Sequence, residues 1–134
     1  MNVDIRMIPH CEQRYDTSGD WWWEGDTLHV RVSALPGANG WKQSMCVAIH
    51  ELTEALLCRA RGIKESQVDA FDLGAGKRLD EPGDDPRAPY RREHRAAYVP
   101  ETFLADAFDL DWKAYGDALG KLHWKPKRRK RRRS

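Results

Sequence analysis

The sequence predicts an α+β fold, in which a small antiparallel sheet packs on a layer of helices. Three features predict it: strand-like alternation with a hairpin in the first third, one long helix in the middle, and shorter amphipathic segments after it. The chain has 134 residues, which is enough for one hydrophobic core but not for two. We therefore expect a single domain over residues 1–124.

The strands of the sheet are expected near the N-terminus. Residues 3–8 alternate apolar and polar side chains with the period of a half-buried strand, and Pro9 ends that strand. Residues 21–23 and 27–33 are rich in aromatic and β-branched side chains on either side of a turn that contains Gly25. The sheet is therefore predicted to consist of an N-terminal strand and a β-hairpin.

The central helix is predicted over residues 45–62, with Gly62 as its stop. Its larger apolar side chains recur every three or four residues and share one side of the helix. We expect that side to face the core: Met45, Ile49, Leu52 and Leu56.

A different side of the central helix carries candidate metal ligands. His50 and Glu54 lie one turn apart, so both can reach one ion, and Glu51 stands next to them. Without a metal, His50 and Glu54 would form an ordinary i,i+4 pair. The spacing alone leaves both interpretations open.

Shorter helical segments follow the central helix. Residues 66–73 form a short candidate segment, and residues 89–98 are predicted to be helical. Pro100 is expected to end or kink that helix, which would resume over residues 101–108. Residues 109–120 give a last amphipathic segment that completes the helical layer.

Charge divides the chain into an acidic body and a basic tail. The net charge is +2, but eight of the last ten residues are Lys or Arg, which leaves 15 basic and 21 acidic residues before position 125. Residues 125–134 have no apolar side chain to bury, so we expect a disordered tail. It either stays solvated, folds back on the acidic body or binds nucleic acid phosphates without sequence preference. The residues predicted for phosphate contacts are Lys127, Arg128, Arg129, Lys130, Arg131, Arg132 and Arg133.

The composition argues against a membrane or secreted protein. No apolar run approaches the roughly 20 residues that span a bilayer, and the N-terminus lacks the apolar centre of a signal peptide. Three cysteines without CxxC spacing predict neither a disulfide framework nor a cysteine zinc site. We therefore expect a cytoplasmic protein with no membrane partner.

The motif His50-Glu51-Leu52-Thr53-Glu54 resembles the HExxH helix of the zincin metallopeptidases, with glutamate in place of the second histidine. A longer pattern is similar to a group of small phage-type proteins. It comprises HELTEALLCRARGI at residues 50–63, VDAFD at 68–72, the loop EPGDDPRAPY at 81–90 and the pair Glu93-His94. The resemblance implies a minimal zincin-like fold, in which a sheet edge beside the helix receives an extended peptide, and a host-cell cytoplasm for a phage-encoded protein.

The zincin pattern, carried onto this sequence, makes His50 and Glu54 metal ligands and Glu51 the general base. We predict His94 as the third ligand, and the other candidates are Asp69, Asp72, Glu93 and Cys58. This donor set suits zinc, and also manganese or iron. The resemblance implies hydrolysis of peptide or amide bonds in a protein or peptide substrate by metal-activated water. The candidates for an oxyanion donor are Tyr90, Tyr98 and His123.

Two other functions stay open at this point. Glu51 with Glu54 and Asp69 with Asp72 look like the paired carboxylates of all-α nucleotide pyrophosphatases, which would bind magnesium. The third is a non-catalytic module with a structural metal, which binds nucleic acid or protein through its basic tail and exposed tryptophans. An open metal position would favour catalysis, whereas four protein ligands would favour the module.

Overall fold

The computed structural model describes residues 1–125. The seven predicted phosphate contacts at 127–133 lie outside the described residues. The three strands of the described range are β1 Asn2–Ile8, β2 Gly19–Glu24 and β3 Thr27–Ser33. Its four α-helices are α1 Gly40–Ala60, α2 Glu65–Asp72, α3 Arg91–Ala107 and α4 Trp112–Gly120. The prediction of an α+β fold is confirmed.

The sheet is mixed, with the strand order β1-β3-β2. β2 and β3 form the predicted antiparallel hairpin, and Gly25 in its turn has φ +57. β1 pairs with β3 in parallel, so the prediction of a purely antiparallel sheet was wrong for this strand. Alternation along a strand shows which side chains share a face, but it contains no information on the direction of the partner strand.

The hydrophobic core lies between the sheet and α1. Leu28, Val30 and Val32 of β3 are fully buried, and Trp21 of β2 is 5% exposed. On its other side α1 packs along α3. Because α1 is covered by the sheet and by α3, side chains on more than one side of this helix are buried.

The predicted core stripe of α1 is only partly buried, although Met45 and Leu52 pack against the core. Met45, Ile49 and Leu52 are half-buried and Leu56 is 37% exposed. Small and polar side chains are buried instead: Ser44, Cys46, Val47, Ala48, His50, Glu54, Ala55 and Cys58. Helical spacing identifies residues that share a face, but tertiary packing decides which face is covered. The candidate ligands are therefore inside the protein.

α3 continues through Pro100 to Ala107, so the expectation that the helix could end there was wrong, while a kink at this proline stays a prediction. An interior proline typically costs about 3 kcal/mol in a helix, and packing must offset that cost. Ala97, Glu101 and Ala105 form the buried side around the proline. Because the helix is continuous, Glu101 lies two turns after His94 on the side that faces α1.

α4 completes the helical layer and brings one aromatic side chain inside. Asp111 caps its N-terminus by accepting a hydrogen bond from the Ala114 amide at 2.7 Å. Tyr115 is 2% exposed and points towards α3. Among the described residues, no helix has both the length and the apolar character needed to cross a membrane.

Candidate metal centre

Three buried side chains from two helices converge between α1 and α3: His50 and Glu54 of α1, and His94 of α3. His94 Nδ1 lies 2.8 Å from Glu54 Oε2 and 3.1 Å from His50 Nε2. His50 Nε2 lies 3.4 Å from Glu54 Oε2. The structure thus brings together the three residues that the sequence analysis selected as ligands.

The spacing of these three atoms fits a single small cation. Zinc bonds of about 2.0–2.1 Å at tetrahedral angles separate neighbouring ligand atoms by about 3.3 Å. The observed separations of 2.8, 3.1 and 3.4 Å lie around that value. Two imidazole nitrogens and one carboxylate oxygen also form the donor set of catalytic zinc sites with an open fourth position. The residues therefore fit zinc, and the same donors suit manganese or iron.

A second layer of hydrogen bonds orients the candidate ligands. His50 Nδ1 lies 2.6 Å from Glu101 Oε1, and the Tyr115 hydroxyl donates to Glu101 Oε2 at 2.7 Å. Trp21 Nε1 donates to Glu54 Oε1 at 3.1 Å. Metal-binding histidines characteristically donate their second ring nitrogen to a carboxylate, as His50 can here. The sequence analysis missed Glu101, Tyr115 and Trp21 as parts of this site.

The ring of His94 is fixed by its neighbours on both sides. A Cβ atom on Gly83 would lie 2.5 Å from His94 Nδ1, so only glycine lets this loop approach the imidazole so closely. The other ring nitrogen, Nε2, is 3.3 Å from the Tyr98 hydroxyl. It also lies 3.7 Å from a carboxylate oxygen of Glu81. Nδ1 therefore faces His50 and Glu54, while Nε2 faces the loop.

The side chains of the cluster form a buried ion pair. Burial lowers the pKa of His50, but hydrogen bonds with Glu101 and Glu54 outweigh it and raise the pKa to about 10. Burial raises the pKa of Glu54, but hydrogen bonds with His50 and His94 outweigh it and lower the pKa to about 2. A metal cation would replace protons between these same atoms.

Glu51 is adjacent to the cluster. Among the described residues no hydrogen bond is made to its carboxylate. Burial and then repulsion from Glu54 raise its pKa well above the ordinary range. A Cβ atom on Gly19 would lie 2.5 Å from Glu51 Cγ, so β2 packs directly on this side chain. Glu51 is thus a carboxyl group with increased proton affinity and an unused hydrogen-bonding capacity.

The cluster and Glu51 line one cavity of about 930 Å³. Its walls come from residues 15–21, from α1 and α2, from the loop at 77–83 and from the C-terminal residues around α4. Tyr98 and Tyr115 also line it. A cavity of this size accommodates a short peptide segment or a small molecule.

No family model, curated protein or solved structure matches this chain. The likeness to zincins and to small phage-type proteins therefore stays a hypothesis based on the motif. The functional interpretation depends on the geometry of the cluster and its cavity.

Two of the additional ligand candidates line the cavity but are held by other partners. Asp69 accepts hydrogen bonds from Arg14 at 3.3 Å. Asp72 accepts hydrogen bonds from the hydroxyls of Tyr15 and Tyr90. The two ligand groupings found among the described residues both contain His94, and neither contains Asp69 or Asp72. The four carboxylates of a pyrophosphatase-like site therefore do not converge in this structure.

The other two ligand candidates, Glu93 and Cys58, belong to neither ligand grouping among the described residues. Glu93 is 3% exposed and pairs with Arg61 at 3.0 Å. Cys58 is fully buried in the core, and burial raises the pKa of its thiol to about 12.

His123 is exposed and does not line the cavity. Of the other predicted oxyanion donors, Tyr98 lines the cavity and contacts His94. The Tyr90 hydroxyl donates a hydrogen bond to the carboxylate of Asp72.

Proposed function

We propose that this protein is a zinc-dependent hydrolase of peptide or amide bonds with a minimal zincin-like fold. His50, Glu54 and His94 hold the metal, and Glu51 is the general base. The observation that carries the proposal is the convergence of two imidazole nitrogens and one carboxylate oxygen at 2.8 to 3.4 Å beside a large cavity. The three-ligand set supports catalysis over a structural site, because it leaves a position for water or substrate.

A bound zinc ion would acidify a water molecule and polarise the scissile carbonyl. Glu51 accepts the proton of the attacking water and returns it to the leaving amine. Glu51 lines the same cavity as the three candidate ligands and directly follows His50 in the chain, which supports this role. The Tyr98 hydroxyl lines the same cavity and is the best-placed donor for the developing oxyanion.

The donor set also bears on the alternative functions. Magnesium prefers oxygen ligands, whereas this cluster offers two nitrogens. A pyrophosphatase-like site would need Asp69 and Asp72, which are held by Arg14 and by two tyrosines. Zinc-dependent hydrolysis is therefore the function that the geometry supports best.

The proposed metal ligands can be tested by elemental analysis of the wild type and three histidine variants. We expect about one zinc per chain in the wild type, and almost none in His50→Ala or His94→Ala, since each variant lacks one of three ligands. His123→Ala is the matched control, because His123 is exposed and outside the cavity. Zinc retained by both His50→Ala and His94→Ala would contradict the proposed ligands.

The catalytic role of Glu51 needs a separate measurement. Glu51→Gln should keep stoichiometric zinc but lose at least about a hundredfold in the hydrolysis of a fluorogenic peptide library, which is the usual weight of a general base. Hydrolysis at the wild-type rate in this variant would remove Glu51 from the mechanism.

A further inference from the structure

One edge of the sheet is left open by the described part of the chain. In the strand order β1-β3-β2, β1 lies at the edge opposite to β2, the strand that packs on Glu51. Among residues 1–125, β3 is the only helix or strand in extensive contact with β1. Residues 1–9 do not line the cavity of the candidate metal centre. The open edge of β1 is therefore separate from the proposed hydrolase site.

The backbone of β1 presents a regular set of hydrogen-bonding groups at this edge. The Asn2 amide and the Ile8 carbonyl form hydrogen bonds with the residues that flank β3, at 2.9 and 2.8 Å. In a parallel pair, the residues that bond to the neighbouring strand alternate with residues whose amide and carbonyl groups face away from it. The backbone groups of Val3, Ile5 and Met7 therefore point outwards from the sheet.

Apolar side chains are exposed along the same strand. Val3 is 45% exposed and Met7 is 43% exposed, although Ile5 between them packs against the core. These three side chains share one face of β1, because successive residues of a strand point to opposite faces. An exposed apolar edge strand is a template for pairing with a further strand. The edge of β1 thus combines outward backbone groups with apolar surface that a second strand would cover.

The charges of β1 select a second copy of the same strand as the partner. Asp4 and Arg6 lie on either side of Ile5. In an antiparallel pair of two β1 strands centred on Ile5, Asp4 of each copy faces Arg6 of the other. A shift of one strand by two residues would place Asp4 opposite Asp4, or Arg6 opposite Arg6. Parallel pairing in register would do both, and like charges directly opposite each other are destabilising.

We propose that the protein forms a symmetric dimer through antiparallel pairing of two β1 strands around Ile5. The pairing joins two three-stranded sheets into one continuous sheet across a two-fold axis. Ile5 pairs with Ile5 of the second copy, and Val3 pairs with Met7 on either side of the axis. Each of these pairs exchanges two backbone hydrogen bonds, because these residues have the outward groups. One pair of short strands makes a small interface, so the dimer is weak and dissociates on dilution.

The association can be measured by sedimentation velocity of the full-length protein from about 1 to about 500 µM, a range suited to a weak interface. We expect the protein to shift from monomer to dimer as the concentration rises. Arg6→Glu should weaken the association at least about tenfold, because two opposite-charge pairs with Asp4 become like-charge pairs. Arg95→Glu is the matched control, since Arg95 is exposed on α3. A monomer at every concentration, or an equal loss in both variants, would overturn the proposal.

Disulfide trapping tests the register of the two strands. In the double variant Val3→Cys with Met7→Cys, position 3 of one copy faces position 7 of the other at a Cα separation of about 5.5 Å, which a disulfide can bridge. Within one chain the two positions lie about 13 Å apart along β1, which is too far for a disulfide. We expect covalent dimers linked between positions 3 and 7, identified by mass spectrometry.

The single variants Val3→Cys and Met7→Cys are the matched controls for trapping. In the proposed register, each single variant places its two new thiols at positions at least about 13 Å apart across the dimer, so neither should form covalent dimers through the new cysteine. Equal trapping in a single variant, or none in the double variant, would overturn the inference. Neither measurement depends on zinc or on hydrolysis, so the inference and the proposed function can fail separately.

Discussion

Replacing Glu101 with glutamine should weaken zinc binding while the protein stays folded. Glu101 contacts His50 Nδ1 at 2.6 Å and accepts a hydrogen bond from Tyr115 at 2.7 Å. Glutamine has almost the same shape, but it is neutral and has one acceptor oxygen, so it cannot serve both partners equally well. Loss of a carboxylate behind a ligand histidine typically costs about 10–100-fold in metal affinity. That corresponds to about 1.4–2.7 kcal/mol of binding free energy.

Glu93→Gln is the matched control for this substitution. Glu93 lies on the same helix and is equally buried, at 3% exposed against 5% for Glu101, but it pairs with Arg61 outside the cluster. Zinc affinity is measured by competition with a chromogenic chelator, and thermal unfolding of the metal-free proteins reports their stability. Glu93→Gln should bind zinc as the wild type does. If Glu101→Gln also bound zinc with wild-type affinity, or if both variants lost the same amount, orientation of His50 by Glu101 would be refuted.

Three further predictions follow from the same structure. Gly83→Ala should lower zinc affinity at least about tenfold in the chelator assay, because its Cβ would lie 2.5 Å from His94 Nδ1; unchanged affinity would show that the loop can move away. Gly116→Ala, whose Cβ would meet nothing within 4 Å, should raise the free energy of unfolding by up to about 1 kcal/mol in urea titrations, and a decrease would contradict this. In the metal-free protein the pKa of His50 is raised from 6.5 unfolded to about 10 folded. The folded state therefore binds more protons between these values, so the free energy of unfolding should fall from about pH 7 to about pH 9, and this fall should be smaller in His50→Ala.

The parts of the fold that were predictable are those specified by residues close together in the chain. Aromatic and β-branched residues around Gly25 identified the hairpin, and apolar spacing identified α1. The direction of β1 relative to β3 was not predictable, because a half-buried strand shows the same alternation with a parallel or an antiparallel neighbour. The helix does not end at Pro100, because burial of residues on both sides of the proline overrides its local preference.

In the candidate site, too, residues on one helix were predictable from their spacing, whereas those brought together by tertiary packing were not. His50 and Glu54 were predictable because they share one helix at i,i+4 spacing. His94 was selected as the third ligand because it lies downstream on a separate predicted helix, and only the packing of α3 on α1 brings it to 2.8 Å from Glu54. Glu101 was missed because Pro100 was expected to end or kink the helix between it and His94. A continuous helix would have placed both residues on one side, seven positions apart.

The packing of α1 itself argues that its inward side serves a site. Leu56 is 37% exposed and Leu52 is half-buried, although burying a leucine side chain typically contributes about 1.5–3 kcal/mol. His50 and Glu54 are 5% and 4% exposed, although buried charges carry a desolvation cost that their mutual attraction often fails to repay. A helix selected for stability alone would bury its leucines and expose its charges. Burial of both charged side chains is expected where three candidate ligand atoms meet out of bulk water, with Glu101 and Trp21 behind them to fix their orientation.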